Sequence, residues 1–194
     1  MDIETLKGTV RTIGAQYTDR EARARRLFIE NRATALQADR DREFAIRSEI
    51  SDFFDIPYSA VSFCGSAQLG FSVPKNQLFR TGASDLDAAL VSPNLFQQAW
   101  KDAIDVTRAF TDATPFGSSA SREIELFKDQ ILRRGMIRIG AMPNSALSSR
   151  WRQFEGRLSR GHTTIFRSIT LAIYMNEYAF CWKQDSAIAA LMRQ

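Results

Sequence analysis

The decisive stretch is Phe63-Cys64-Gly65-Ser66-Ala67-Gln68-Leu69-Gly70-Phe71-Ser72, followed after a polar loop by Ser84-Asp85-Leu86-Asp87-Ala88-Ala89-Leu90-Val91. Ala60 to Cys64 reads as a buried strand that Gly65-Ser66 stops, and Asp85 to Val91 as a second short strand closed by Ser92-Pro93. Asp85 and Asp87 stand two apart in that second strand, so both side chains project from one face. Like charges held that close repel, and a sheet core has no use for them. A divalent cation removes the repulsion, and Mg²⁺ takes one or two carboxylates together with phosphate oxygens. Gly65-Ser66, at the end of its strand, presents backbone N–H groups and a hydroxyl outward, donors suited to a triphosphate. A glycine there lets a phosphate approach the backbone without meeting a side chain. Ser84, just before the acids, can fix the start of the strand or orient a carboxylate. The candidate metal ligands are therefore Asp85 and Asp87, the candidate nucleotide-binding residues Gly65, Ser66 and Ser84, and the candidate catalytic residues Asp85, Asp87 and Ser66.

Upstream of this centre, Ile46, Ile50, Phe53 and Phe54 fall at helical spacing and make one apolar stripe, with Pro57 ending the helix. Thr18-Asp19-Arg20-Glu21 has the spacing of a capping box, and Arg20 to Arg47, rich in Arg, Ala and Glu, predicts helix. Its apolar face is narrow, carried by Leu27, Phe28, Ala33 and Leu36, which suits a solvated brace, a partner-binding helix or a nucleic-acid strut. Ala67 to Ser84 reads as a loop broken by Pro74 and Gly82. Downstream, Asn94 caps a helix to about Phe110, with Phe96, Trp100, Ala103, Thr107 and Phe110 on one side. Thr111 to Ser121 reads as a loop, Arg122 to Arg134 as a helix ending at Gly135, and Met136 to Ala141 as a strand. Ala146 to Leu158 is a short helix, Arg167 to Met175 the strongest late strand, and Glu177 to Arg193 a final helix. Strands separated by helices predict an α/β (α+β) fold, a small mixed sheet flanked by helices, with a helical extension over 1–45 and the main domain over 46–194.

Composition narrows the partners. The 194 residues are 44% hydrophobic and 25% charged, enough for one compact domain and unlike disordered, collagen-like or low-complexity sequence. A net charge of +4 favours anionic partners. The lysines are Lys7, Lys75, Lys101, Lys128 and Lys183, and the other basic residues are arginines, whose planar fork suits phosphate and carboxylate, although a GC-rich genome gives the same bias. Cys64 and Cys181 cannot build a disulfide framework or a four-ligand zinc site, and a single His162 removes His-based triads. Met1-Asp2-Ile3-Glu4 lacks the basic start and apolar run of a signal peptide, and no apolar stretch reaches the length of a membrane span. The expectation is a soluble, cytoplasmic protein without a membrane partner.

A hydrophobic residue, Gly-Ser, a variable loop, then Asp-hydrophobic-Asp-hydrophobic is the pattern formed by Cys64, Gly65, Ser66 and then Asp85, Leu86, Asp87, Ala88. In this the chain resembles the DNA polymerase beta-like nucleotidyltransferase superfamily, over roughly Ile46 to Phe110, and looks like its stand-alone bacterial domains. The resemblance implies a nucleotidyltransferase-type sheet and an enzyme that moves a nucleoside monophosphate from a nucleoside triphosphate such as ATP to an acceptor hydroxyl. It further implies Mg²⁺, with two ions possible, one positioning the triphosphate and the other lowering the pKa of the acceptor. Acceptors across that family include nucleic-acid ends, proteins, antibiotics and other nucleotides, and the sequence does not choose among them.

Fully active members of the family carry a third carboxylate on a later strand. In Arg167 to Met175, Ile169, Leu171 and Ile173 alternate with Ser168, Thr170, Ala172 and Tyr174, and neither face holds an acid; Met136 to Ala141 holds none either. Glu177 and Asp185 are the remaining candidates to reach inward. Lack of that acid spares nucleotide binding more than turnover. It opens an alternative reading, a catalytically weak interaction protein of the same fold, an antitoxin or defence-system component meeting a partner protein through its N-terminal helices. A nucleic-acid-binding module using the arginine-rich helices is a third reading. His162 reads as a surface loop residue, Cys64 as core, and Trp100, Trp151 and Trp182 as core packing, although an aromatic beside the cradle could stack a base. Arg133-Arg134 and Arg150 to Arg160 read as ordinary surface or as a phosphate-holding segment.

Overall fold

The Gly-Ser and Asp-Leu-Asp segments lie side by side in a computed structural model of the chain, which describes residues 2–117 and 120–193. Helices α1 (Ile3–Gln16), α2 (Arg20–Arg25) and α3 (Arg40–Phe54) lead to strand β1 (Val61–Cys64). β1 runs directly into α4 (Gly65–Leu69), and a hairpin of β2 (Phe71–Ser72) and β3 (Gln77–Leu78) precedes β4 (Leu86–Val91). Then come α5 (Pro93–Val106), α6 (Ala120–Arg134), β5 (Met136–Arg138), α7 (Ala146–Gly161), β6 (Ile169–Tyr174) and α8 (Glu177–Met192). The four-stranded sheet has the order β1-β4-β6-β5, with β4 antiparallel to β1 and parallel to β6, and β5 antiparallel to β6. This is the small mixed α/β fold that the alternation of strands and helices predicts, flanked by helices and preceded by a helical extension.

Alternation gives the sheet two different faces. Leu86, Ala88 and Leu90 of β4, Ile169, Leu171 and Ile173 of β6, and Val61 and Phe63 of β1 are all buried in one core. Ile46, Ile50 and Phe54 of α3, Leu95, Phe96 and Ala99 of α5, and Trp151, Phe154 and Leu158 of α7 join them there. Phe53 and Phe154 stack at 3.9 Å between ring centroids, fastening α3 to α7. The opposite face holds a second core, in which Ala89, Tyr174 and Met136 meet Phe180, Cys181, Ile188 and Leu191 of α8. Val10, Ala24, Leu27 and Phe28 from the N-terminal segment complete it.

β5 pairs only with the last three residues of β6, so the earlier backbone of β6 needs other partners. α7 supplies them. The backbone N–H of Leu171 donates to Glu155 Oε1 at 2.6 Å, and that of Ile169 donates to Ser159 Oγ at 2.9 Å. Burial holds the Glu155 carboxyl above its usual range, against the opposing effect of the Leu171 donor.

The N-terminal segment departs from the sequence reading. Arg20 to Arg47 is not one helix: a π turn spans Arg26–Glu30, a 3-10 turn spans Thr34–Leu36, and α3 starts anew behind the Asp39 cap. Nor is it a solvated brace, because Ala24, Leu27, Phe28, Ala33 and Leu36 are all buried. The buried amide of Gln68 donates to the carbonyls of Leu27 and Asn31, 2.8 and 2.9 Å away, satisfying groups released where the helix breaks. Asp185, 3% exposed at its side chain, pairs with Arg23 at 2.6 Å and with Arg20 at 3.3 Å. Glu177 pairs with Arg25. These ion pairs lash the N-terminal helices to α8.

Smaller corrections have local causes. Asp19, not Thr18, caps α2, its carboxylate accepting from the Ala22 N–H at 2.8 Å. Ser92, not Asn94, caps α5, with Pro93 at the first helical position where a missing N–H costs nothing. α5 ends at Val106, and left-handed residues at Arg108, Ala109 and Phe110 turn the chain away. The loop read over 67–84 contains most of α4 and the β2–β3 hairpin, and the strand read over Met136 to Ala141 stops at Arg138 before a 3-10 turn. Of the expected loop over Thr111 to Ser121, residues 118 and 119 lie outside the described residues. Trp151 is core, but Trp100 and Trp182 are 40% and 46% exposed. His162 is buried at the end of α7, its Nε2 3.2 Å from Glu49 Oε1, rather than in a surface loop. Among the described residues no helix is long and apolar enough to cross a membrane.

Candidate functional site

The strand pairing that makes the sheet also makes the site. Register places Cys64 opposite Asp87, and Asp87 opposite Thr170, in one row across β1, β4 and β6. Immediately after Cys64 the chain turns at Gly65, whose φ of +68° lies in the left-handed region that glycine adopts without the cost of a Cβ. A Cβ built on Gly65 would collide with Oδ2 of Asp87, so the Gly-Ser turn sits directly against that carboxylate. The sequence reading reserved this glycine for a phosphate; within the fold, Asp87 already requires it. Ser66 follows in the first turn of α4, a helix of only five residues that closes at Gly70, whose N–H donates to the Ser66 carbonyl at 2.9 Å.

Asp85 lies one residue before β4 begins. Arg167 grips it with both arms of its fork, Nε to Oδ1 at 2.9 Å and a terminal nitrogen to Oδ2 at 2.5 Å. Ser168 Oγ also donates to Oδ1, at 2.7 Å. Burial would raise the Asp85 pKa, but the hydrogen bonds from Arg167 and Ser168 outweigh it and hold the carboxyl below the usual range. Asp87 Oδ1 accepts from Thr170 Oγ1 at 2.7 Å. The Cys64 thiol donates to the Asp87 carbonyl at 3.5 Å and is pushed up to about 12 by burial and then by the Asp87 charge. A thiol held so far above neutrality is no nucleophile, which agrees with its reading as core.

Among the described residues, Ser84 makes no hydrogen bond through its side chain to either carboxylate. Its hydroxyl accepts from the Arg80 N–H at 3.0 Å and its carbonyl accepts from the Arg167 N–H at 2.9 Å, so it fixes the start of the strand. The late arginines lie elsewhere. Arg150 stacks over Phe53 and Arg157 over Phe154, while Arg152 donates to the Met142 carbonyl, all on the fully apolar side of the sheet. Arg133 and Arg134 both pair with Asp129, at 3.3 and 3.1 Å. Glu177 and Asp185 are committed to the N-terminal arginines, and the position across from Asp87 belongs to the uncharged Thr170. Among the described residues no group of three His, Cys, Asp or Glu side chains is arranged to hold a metal ion.

Sequence reasoning missed Arg167, Ser168 and Thr170 as partners of the acids. Alternation already placed Ser168 and Thr170 on one face of their strand; the parallel register between β4 and β6 brings that face beside the carboxylates. Comparison with protein-family models, curated proteins and solved structures gave no match, so the chemistry of the site rests on its geometry. The site thus holds two carboxylates near the Gly65 turn, Asp87 bonded to Thr170 and Asp85 to Arg167 and Ser168, and among the described residues no third acid joins them as a metal-holding group.

Proposed function

We propose that this chain binds a nucleoside triphosphate together with one Mg²⁺ ion and transfers the nucleoside monophosphate slowly to an acceptor hydroxyl. The observation that carries the reading is the contact of Asp87 with the Gly65 turn, with Asp85 on the same side of β4. Asp87 and Asp85 would hold the ion; backbone N–H groups and the hydroxyl at Gly65-Ser66 would hold the phosphates. Bound Mg²⁺ supplies charge neutralisation for the phosphate chain. The acceptor oxygen forms a bond to the α-phosphorus while the bond from that phosphorus to the bridging oxygen breaks. Pyrophosphate leaves with the electron pair, and the hydroxyl proton passes to solvent. The protein's part is mainly alignment and electrostatics.

The test is binding of fluorescent ATP, GTP, CTP and UTP analogues with Mg²⁺ and with EDTA, followed by pyrophosphate release. Metal-dependent binding that Asp87→Asn removes supports the reading; failure of every nucleotide to bind with either Mg²⁺ or Mn²⁺ overturns it. The Arg167 clamp on Asp85 favours a second reading, the same fold with its chemistry weakened and its role played through a partner protein. Biological activity that survives a double Asp85→Ala, Asp87→Ala variant supports that second reading.

A further inference from the structure

The ion pair of Arg167 with Asp85 is of a different kind from that of Arg23 with Asp185. Arg23 and Asp185 are both largely withdrawn from water, so parting them leaves a buried charge alone. The Arg167 side chain is 66% exposed, and an ion pair standing in water adds little and parts readily. Only the side chain is free to leave: the Arg167 backbone N–H donates to the Ser84 carbonyl at 2.9 Å, which pins the chain where β6 approaches β4.

The two oxygens of Asp85 would lose unequally by that departure. Oδ1 accepts from Ser168 Oγ at 2.7 Å as well as from Arg167 Nε at 2.9 Å. Among the described residues, Oδ2 accepts only from Arg167, at 2.5 Å. With the guanidinium gone, Ser168 still fixes the carboxylate and Oδ2 is bare. Asp87 already stands in that condition: Thr170 holds its Oδ1, and its Oδ2 lies against the Gly65 turn. Arg167 therefore covers the one oxygen of Asp85 that its neighbours leave open. A guanidinium fork that takes a carboxylate by both arms takes a phosphate in the same way.

Resting on the proposed nucleotide site, we infer that Arg167 is the side chain that recognises the phosphate chain, and that Asp85 latches it until phosphate arrives. The phosphate displaces the carboxylate from the fork, and the released Asp85 turns its bare oxygen to the cation that accompanies the phosphates. Phosphate alone leaves Asp85 without a partner, and a cation alone leaves Arg167 without one. The exchange satisfies every charge when the two come together, so the latch makes their binding mutually dependent.

The experiment uses the full chain with Arg167→Gln, Asp85→Asn and both substitutions together, each checked for folding by circular dichroism and thermal melting. Calorimetry measures the affinity of inorganic tripolyphosphate in EDTA and of ATP with Mg²⁺. Loss of a charge-assisted contact predicts about tenfold weaker tripolyphosphate binding in Arg167→Gln. Asp85→Asn removes the internal competitor and should tighten tripolyphosphate in EDTA about three- to fivefold, the worth of an exposed ion pair. With ATP and Mg²⁺ the same substitution should weaken binding, because the released carboxylate is then needed. The gain from Asp85→Asn should vanish when Arg167→Gln is also present, since no latch remains to release. A gain that persists there is plain repulsion by the Asp85 charge and overturns the inference, as does unchanged tripolyphosphate affinity in either single variant. If tripolyphosphate behaves as expected but no nucleotide binds with Mg²⁺ or Mn²⁺, the nucleotide reading fails and the exchange at Arg167 stands. If ATP with Mg²⁺ binds wild type and Arg167→Gln equally, the latch falls and the nucleotide reading stands. If the wild type binds neither ligand, both fall.

Discussion

The two faces of the four-stranded sheet are built from the same backbone and yet obey different rules. On one, Leu86, Ala88 and Leu90 meet Ile169, Leu171 and Ile173 in a core closed along its whole length. On the other, the strands read from their starts as charged or polar, then small, then large: Asp87 with Thr170, Ala89 with Ala172, Val91 with Tyr174. α8 and the N-terminal helices cover the large end, and the carboxylates keep the other. A period of two lets one strand carry a core and a site without conflict, because neither set of side chains intrudes on the other.

That independence can be broken by experiment. The largest effect belongs to the closed face: Ile173→Ala removes a fully buried side chain and should cost about 2–5 kcal/mol in urea denaturation, with nucleotide affinity of the folded fraction unchanged. A parallel loss of affinity would mean that the faces are coupled. On the second face, Asp185→Ala leaves the largely buried Arg23 without its carboxylate and should cost about 3 kcal/mol. Hydrogen exchange should then rise through α1 and α2 before the sheet is affected; uniform exchange would show that those helices are not anchored through Asp185.

At the site, Gly65→Ala forces a side chain into a left-handed turn and against Asp87, which should cost about 1–3 kcal/mol and abolish Mg²⁺-dependent nucleotide binding. Retained binding would separate the Gly-Ser turn from the acids. The smallest effect is the pH response of Asp85. Its pKa is lower in the folded state, so the stability it contributes is present above its unfolded pKa and disappears as pH falls through the lower folded value. The stability gap between wild type and Asp85→Asn, under about 1 kcal/mol because Arg167 is largely exposed, should hold from neutral pH down to about 4 and close below it. A gap that widens in acid would contradict the Arg167 clamp.

Part of this geometry was legible because its signals are local. A glycine after a strand, and acids at strand spacing, need no knowledge of distant residues, and Gly65 does lie against Asp87, while Asp85 is held by Arg167 and Ser168. Where the reading failed, the cause lay far away in the chain. Leu27 and Phe28 look like a thin stripe on a polar helix until α8 and the sheet supply the other half of their core. Trp182 resembles core, but Arg20 stacks on its ring 3.5 Å from the centroid and leaves it partly exposed. His162 follows a glycine in a polar stretch, and only the approach of Glu49 from α3 explains its burial.

By itself the sequence determined the alternating faces of the strands, the class of fold, and the shared side on which Asp85 and Asp87 project, because side-chain direction follows from spacing along the backbone. Tertiary structure decided what those acids meet. The parallel register of β4 with β6 brings Arg167, Ser168 and Thr170 to the carboxylates and sets the hydroxyl of Thr170, not an acid, opposite Asp87. Register and docking are set by the packing of both cores at once, which no local stretch of residues encodes.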